Sequence, residues 1–376
     1  MREFITGNQA VVRGALKAGC NFVAGYPITP ASSILSDFLA AFSDGSGIAI
    51  QTEDEIAAIG QCIGASMAGA KALTATSGPG LSLYSENIGL AQMGEVPLVI
   101  VDCQRMGPAT GGATASGEGD ILFARHVTAG GYPLPVLAAT NAATAYRLTC
   151  EAFNIAERLR TPVILLLSKD ISLTRQTTDL AEVDLPPTQS RPLAGPDKDY
   201  QPYAFESSDD VPRFSPIGGP RLVRFTGSIH DEKGILTIDR KKIYRKLNHL
   251  RTKIVNQREL LELSETNLDN QADTLLISYG LADGAAREAV EEARSKGSHV
   301  THLTLYSLWP VPEVSLRRVL TPAIRRVVIP ELNIGLYADE LRKFLGPVEI
   351  KSVQRFDGGP IQPQLIVKEI LQDSRL

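Results

Sequence analysis

The chain has 376 residues, 43% of them hydrophobic and 21% charged, with a formal net charge of −4. That length allows two or three domains, and the slightly acidic balance gives no support for a nucleic-acid surface. No run of about 18 uninterrupted apolar residues occurs, so no membrane span is expected.

Residues 6–170 alternate helical and extended patterns. Helices are predicted over 8–18, 31–42, 53–70, 81–92 and 141–158, and strands over 21–25, 47–51, 72–75, 97–102, 136–138 and 163–167. The 97–102 stretch, Pro-Leu-Val-Ile-Val-Asp, is continuously apolar until its last residue, as in a strand covered on both faces. The 53–70 stretch is rich in Ala, Gly and Ile, so it is expected to pack closely against a neighbour. This βαβα order predicts an α/β fold with a doubly wound parallel sheet.

Residues 172–272 differ. Pro186, Pro187, Pro192, Pro196, Pro202, Pro212, Pro216 and Pro220 interrupt regular structure. A charged helix is predicted from Asp239 to Glu265, with Ile243, Leu247, Leu250 and Ile254 on one face. Its seven basic residues between Arg240 and Lys253 are read as a solvated face rather than as a site for an anionic partner. Alternation resumes over 273–376, with strands near 274–279, 299–305, 326–329 and 348–353 and helices at 283–296, 336–344 and 362–371. A second, smaller parallel-sheet domain is expected there, so the chain divides into 1–190, 191–272 and 273–376.

The cysteines, Cys20, Cys62, Cys103 and Cys150, form no Cys-x-x-Cys pair. They read as reduced, buried thiols, and the chain is not expected to hold an iron–sulfur cluster. Met1 to Gly7 lacks the apolar stretch of a secretory signal, and a cytoplasmic location is expected.

Four short segments fall where βα units place strand ends, the usual ligand edge of an open parallel sheet. They are Tyr26-Pro27-Ile28-Thr29-Pro30, Glu53-Asp54-Glu55, Thr76-Ser77-Gly78-Pro79-Gly80 and Gln104-Arg105. A carboxylate in a first helical turn is commonly a cap. A threonine in a turn stiffened by two prolines is held in a fixed place beside a helix N-terminus, suited to a carboxylate ligand. An arginine at a strand end is commonly a surface residue, yet guanidinium also binds carboxylates bidentately and stays charged. The loop after Arg105 is rich in glycine and ends at Gly119-Asp120.

A glutamate, a small-residue helix with Gly64 nine positions on, a strand and Thr-Ser-Gly-Pro-Gly together resemble the pyrimidine-binding domain of thiamine diphosphate enzymes. Tyr-Pro-Ile-Thr-Pro near the N-terminus resembles the alpha subunits of 2-oxoacid:ferredoxin oxidoreductases, particularly the 2-oxoglutarate type. Thr226-Gly227, His230-Asp231-Glu232, Ser278-Tyr279-Gly280, Leu308-Trp309-Pro310 and Pro330 to Gly335 extend the resemblance over nearly the whole chain. It implies a pyrimidine-binding domain over 1–190, a proline-rich linker and charged helix over 191–272, and a transketolase C-terminal-like domain over 273–376. It also implies that Glu55 promotes the imino tautomer of the cofactor's aminopyrimidine, with Glu53 as the competing assignment. Thr29 and Arg105 are implied to bind the substrate carboxylate, and Pro27, Ile28, Ser77, Gly78 and Pro79 to line the cofactor pocket. His230 is given no catalytic role. Met106 stands where the family more often has glycine.

The family's diphosphate and Mg²⁺ motif, Gly-Asp-Gly followed by Asn, is not matched here. Gly119-Asp120-Ile121 lacks the second glycine, and Asp357-Gly358-Gly359 sits close to the C-terminus. No metal ligand is therefore assigned. The resemblance implies a beta subunit that carries diphosphate, Mg²⁺ and a 4Fe-4S cluster, with thiamine diphosphate shared in an (alpha-beta)2 heterotetramer. Coenzyme A, a 2-oxoacid and ferredoxin are the implied reactants, with 2-oxoglutarate favoured over pyruvate, branched-chain and aryl 2-oxoacids. A non-catalytic scaffold subunit is the alternative of another class.

Overall fold

The computed structural model of the protein describes residues 2–195 and 199–371. Met1, Pro196 and the last five residues lie outside the described residues. In chain order the strands are β1 (Glu3–Ile5), β2 (Phe22–Gly25), β3 (Ile48–Gln51), β4 (Ala72–Thr76), β5 (Leu98–Gln104), β6 (Val136–Ala138) and β7 (Pro162–Ser168). They continue with β8 (Gln176–Thr178), β9 (Ser264–Asn267), β10 (Thr274–Ser278), β11 (Val300–Leu305), β12 (Ser307–Trp309), β13 (Arg326–Glu331) and β14 (Glu349–Gln354).

The larger sheet has the order β12-β6-β7-β5-β4-β2-β3 and the smaller β14-β13-β10-β11-β9. Every pairing is parallel except at one edge of each sheet, where β12 and β9 run antiparallel. β1 and β8 form a separate antiparallel pair. Parallel strands need crossovers, and the crossover helices cover both faces. Hence β5 and β7 are buried along all seven residues each. Val99, Val101 and Cys103 face one apolar layer with the Gly7–Lys17 and Ala142–Leu159 helices. Leu98 and Ile100 face the other, shared with the Glu55–Met67 and Gly78–Met93 helices and the C-terminal sheet. Helix starts follow from local caps. Thr6 and Gln9 form a reciprocal capping box, and Asp54 accepts the Ala57 N–H at 2.7 Å. All four cysteines are buried free thiols, and no described helix is long and apolar enough to cross a membrane.

Three features depart from the sequence reading. The charged helix spans Arg240–Val255 and does not reach Glu265, because Ser264–Asn267 pairs with β11 as an edge strand. Tertiary pairing overrides the local helical pattern there. β12, from the C-terminal third, joins the N-terminal sheet beside β6. The basic helix is also not a solvated face throughout. Lys246, His249 and Lys253 are buried against Glu95, which is fully buried at the turn before β5. Lys246 Nζ lies 2.5 Å from Glu95 Oε1, while Lys253 Nζ and His249 Nε2 lie 2.7 and 2.9 Å from Oε2. The anionic partner of these basic residues is therefore internal, at the sheet edge opposite the strand ends described next.

Candidate active site

β3, β2, β4 and β5 are consecutive neighbours, so the segments leaving their C-terminal ends lie side by side. The Tyr26–Pro30 turn is fixed from behind by buried Asn8, whose Nδ2 donates to Pro30 O and to Ser33 Oγ, both at 2.8 Å. Thr29 and Pro27 are exposed and Ile28 is half-buried. Arg105 is buried, and its Nη1 donates to the Thr29 carbonyl oxygen at 2.7 Å. The two residues assigned to the substrate are thus joined directly.

Glu55 is the first residue of its helix and is buried, 7% exposed, whereas Glu53 is exposed. No hydrogen bond to the Glu55 carboxylate is found among the described residues. Gly80 faces it without a side chain. A methyl group there would collide with the Thr76 hydroxyl and come within 2.8 Å of Glu55 Oε1. The Gly80→Ala variant is therefore expected to lose about 1–3 kcal/mol through overpacking, read by urea denaturation. An unchanged midpoint would show that the Glu55 side chain is not held here.

Ser77 is fully buried, and Gly78 and Pro79 are half-buried. Gly78 and Pro79, with Ser82, Arg105, Asp120 and Phe123, line a cavity of about 130 Å³. A larger groove of about 830 Å³ lies among residues 199–235 and includes none of these side chains.

Buried polar atoms normally find partners, so clustered exceptions need a cause. Seven of the ten such atoms among the described residues belong to Ser77, Asp102, Arg105, Ser116, Glu118 and Asp120. They concentrate at this sheet edge and in the loop that follows it. Ser77 Oγ and Arg105 Nε have no hydrogen-bond partner among the described residues.

Asp102 is the site residue that sequence reasoning passed over, whereas Asp120 is the acid of the Gly119-Asp120 pair that closes the loop. Asp102 follows Leu98 and Ile100 on one face of β5, fully buried, with neither oxygen meeting a donor. Burial, and then the Asp120 charge, pushes its carboxyl well above the usual range. Burial also pushes Asp120 up to about 6, opposed by its interaction with Asp102 and by the charge of Arg105. Two buried carboxyls that interact this strongly disfavour ionising together, and the charge of Arg105 favours the ionised form of Asp120. The visible signal was an acid closing an otherwise apolar strand. His230 is buried against Tyr203, with ring centroids 4.2 Å apart, and burial lowers its imidazole to about 4.

The side-chain-free wall at Gly80, the unpartnered Glu55 and the orphan Ser77 hydroxyl fit the pyrimidine half of thiamine diphosphate. No group of three or more His, Cys, Asp or Glu side chains placed to hold a metal ion is found among the described residues.

A family model described as pyruvate flavodoxin/ferredoxin oxidoreductase, thiamine diphosphate-binding, matches residues 13–248. A second, pyruvate:ferredoxin oxidoreductase core domain II, matches residues 272–366. The chain is 35% identical over 374 residues to a protein of Methanocaldococcus jannaschii named 2-oxoglutarate synthase subunit KorA, covering 98% of this chain and 99% of that one. It is 38% identical over 366 residues to the protein of the same name from Archaeoglobus fulgidus, covering 97% of each. A structure titled 2-oxoglutarate:ferredoxin oxidoreductase from Magnetococcus marinus, with 2-oxoglutarate, coenzyme A and succinyl-CoA bound, matches at a TM-score of 0.90 and 28% identity. That match covers 98% of this chain and 64% of the other, so this chain spans less than two thirds of that protein's length. A split-gene transketolase, at 13% identity and a TM-score of 0.53, shares the fold. Motifs, sheet edge and full-length relatives agree, and the chain belongs to the family of 2-oxoacid:ferredoxin oxidoreductase alpha subunits.

Proposed function

We propose that this chain is the alpha subunit of a 2-oxoglutarate:ferredoxin oxidoreductase. The reaction converts 2-oxoglutarate and coenzyme A to succinyl-CoA and CO₂, with the electrons passing to ferredoxin. The observation that carries this reading is the buried, unpartnered Glu55 facing Gly80, beside the free Ser77 hydroxyl and the Arg105–Thr29 pair.

Thiamine diphosphate, when bound, supplies the electron sink for decarboxylation. Glu55 holds the proton exchanged with the pyrimidine ring nitrogen. Pro27, Ile28, Ser77, Gly78 and Pro79 orient the ring. Arg105 and Thr29 hold the substrate carboxylate, and the Asp102–Asp120 pair keeps one negative charge beside the guanidinium so that it stays oriented.

A beta subunit completes the site with the diphosphate, Mg²⁺ and 4Fe-4S parts, in a cytoplasmic (alpha-beta)2 heterotetramer. The Glu55–Met67 helix supports such a partner. One face of this helix packs closely through Ala58, Ile59, Cys62 and Ile63, while on the other a Cβ added at Gly60 or Gly64 would meet nothing within 4 Å and Ile56 is 51% exposed. The division into 1–190, 191–272 and 273–376 belongs to the same proposal, with β12 of the last part completing the sheet of the first.

The test is to co-purify the chain with its genomic neighbour and assay coenzyme A-dependent viologen reduction across 2-oxoacids. Turnover of 2-oxoglutarate above pyruvate, branched-chain and aryl acids supports the reading. Turnover of none of them would leave the scaffold alternative. The Arg105→Gln variant is expected to raise the 2-oxoacid KM by at least about tenfold, because it truncates a buried charged partner. Thiamine diphosphate affinity, followed by titration, should stay unchanged. A KM within error of the parent would remove Arg105 from the substrate site.

A further inference from the structure

Residue Glu118 sits near the end of the glycine-rich 106–119 loop, 1% exposed, and is tied to the C-terminal domain three times. Its N–H donates to the Leu332 carbonyl oxygen at 2.9 Å, and its own carbonyl oxygen accepts Asn333 Nδ2 at 2.9 Å. Its Oε1 accepts the Leu281 N–H at 2.8 Å. Its Oε2 has no partner. Gly280, at φ +57°, has no side chain where a Cβ would collide with this carboxyl group. The acceptor set is braced in turn. Asn333 Nδ2 also donates to the Tyr279 hydroxyl oxygen at 2.9 Å, and the Tyr279 hydroxyl donates to Glu331 Oε1 at 2.8 Å. Glu331 is fixed by the Tyr337 and Ala338 N–H groups at 2.8 and 3.2 Å.

Tyr279-Gly280 and the 330–335 segment, remote in sequence from the site, therefore converge on one loop residue. That loop follows Arg105 directly and ends at Asp120, whose N–H donates to Gln104 Oε1 at 3.2 Å. We propose that Glu118 is a positioning residue that latches the 106–120 loop, and with it Arg105 and Asp120, onto the C-terminal domain, and that ionisation of its carboxyl opens the latch. This rests on the reading of Arg105 as the substrate-carboxylate group.

The surroundings favour the neutral acid. Glu331, Asp170 and the Tyr279 phenol face Glu118, and the nearby ammonium of Lys169 is already paired to Asp170 at 2.7 Å. Burial pushes the Glu118 carboxyl up to about 8, with the Leu281 N–H opposing and the charges of Glu331 and Asp170 adding. A carboxyl raised in the folded state binds more protons there than when unfolded. The latch is thus strongest below the ordinary glutamate range and weakens as pH rises through about 8.

The test uses the complex with its partner subunit and 2-oxoglutarate. In the parent, kcat/KM falls above about pH 8. The Glu118→Gln variant keeps the acceptor for Leu281 without an ionisable group, so it retains kcat/KM at pH 7 within about threefold and loses that fall. Glu118→Ala raises the 2-oxoacid KM about tenfold at pH 7, with a smaller change in kcat. A second readout needs no turnover: hydrogen exchange of 106–119 in the chain, corrected for intrinsic rates. Protection is lost between pH 7 and pH 9 in the parent and kept in Glu118→Gln. Equal protection profiles for parent and Glu118→Gln would overturn the latch. An absence of turnover with every 2-oxoacid would instead overturn the functional reading, while the exchange result still decides the latch.

Discussion

Replacing Glu55 with Gln is expected to lower kcat for coenzyme A-dependent 2-oxoacid oxidation by about 10²–10⁴, the scale of losing a positioned proton-transfer group. Glutamine matches the size of the side chain, so the Gly80 wall and the Thr76 hydroxyl should accept it. It cannot take up and return a proton. The effect should therefore fall on kcat, with the 2-oxoacid KM nearly constant, because Arg105 and Thr29 are untouched. Glu53 is the internal control. It lies two residues away but is exposed, and Glu53→Gln is expected to leave the rate within about twofold. A Glu55→Gln enzyme that retained the parent rate, or a Glu53→Gln enzyme that lost it, would move the role away from Glu55. The assay is viologen reduction by the co-purified subunits at saturating thiamine diphosphate.

The N-terminal half of this site was legible in the sequence because each piece follows its own strand. Apolar runs ending in Gly25, Gln51, Thr76 and Gln104 mark four strand ends, and parallel topology brings four strand ends to one edge. Chain-local caps such as Asp54 fix where Glu55 emerges. Less accessible was what meets across the chain. Asp102 looked like the last residue of an apolar strand until Asp120 was placed against it. Glu118 reads as one polar residue in a glycine loop, and its partners lie more than 160 residues further on. β12 is three residues long and gives no periodic signal, yet it closes the edge of a sheet begun in the first part of the chain. The end of the basic helix was misplaced for a related reason. Leu260, Leu261 and Leu263 continue the helical spacing, but the first two lie in a 3-10 turn and the third immediately precedes the edge strand.

The Glu95 carboxylate is the second large effect, and it acts on stability. It is fully buried, 151 residues from Lys246 and 158 from Lys253, and it accepts from both ammonium groups and from His249. Replacement by Gln strips the charge and leaves two buried ammonium groups facing an amide. Breaking a buried ion pair from one side costs about 3–5 kcal/mol, which urea denaturation should read as a lower midpoint with an unchanged slope. Burial raises the Glu95 carboxyl, but Lys246, Lys253 and His249 overcome this and hold it well below the usual carboxylate range. A depressed carboxyl stabilises the fold above its ordinary value, and that contribution disappears as pH falls through the folded value. Burial also lowers Lys253 to about 8 against the pull of Glu95. Without Glu95 the lysines should lose protons earlier, so the Glu95→Gln deficit should shrink as pH rises toward about 8. Adding Lys246→Met and Lys253→Met should recover much of the loss, since apolar replacement of a whole buried ion set is often neutral or stabilising. A Glu95→Gln deficit below about 1 kcal/mol, independent of pH, would mean that this cluster does not hold the basic helix to the sheet.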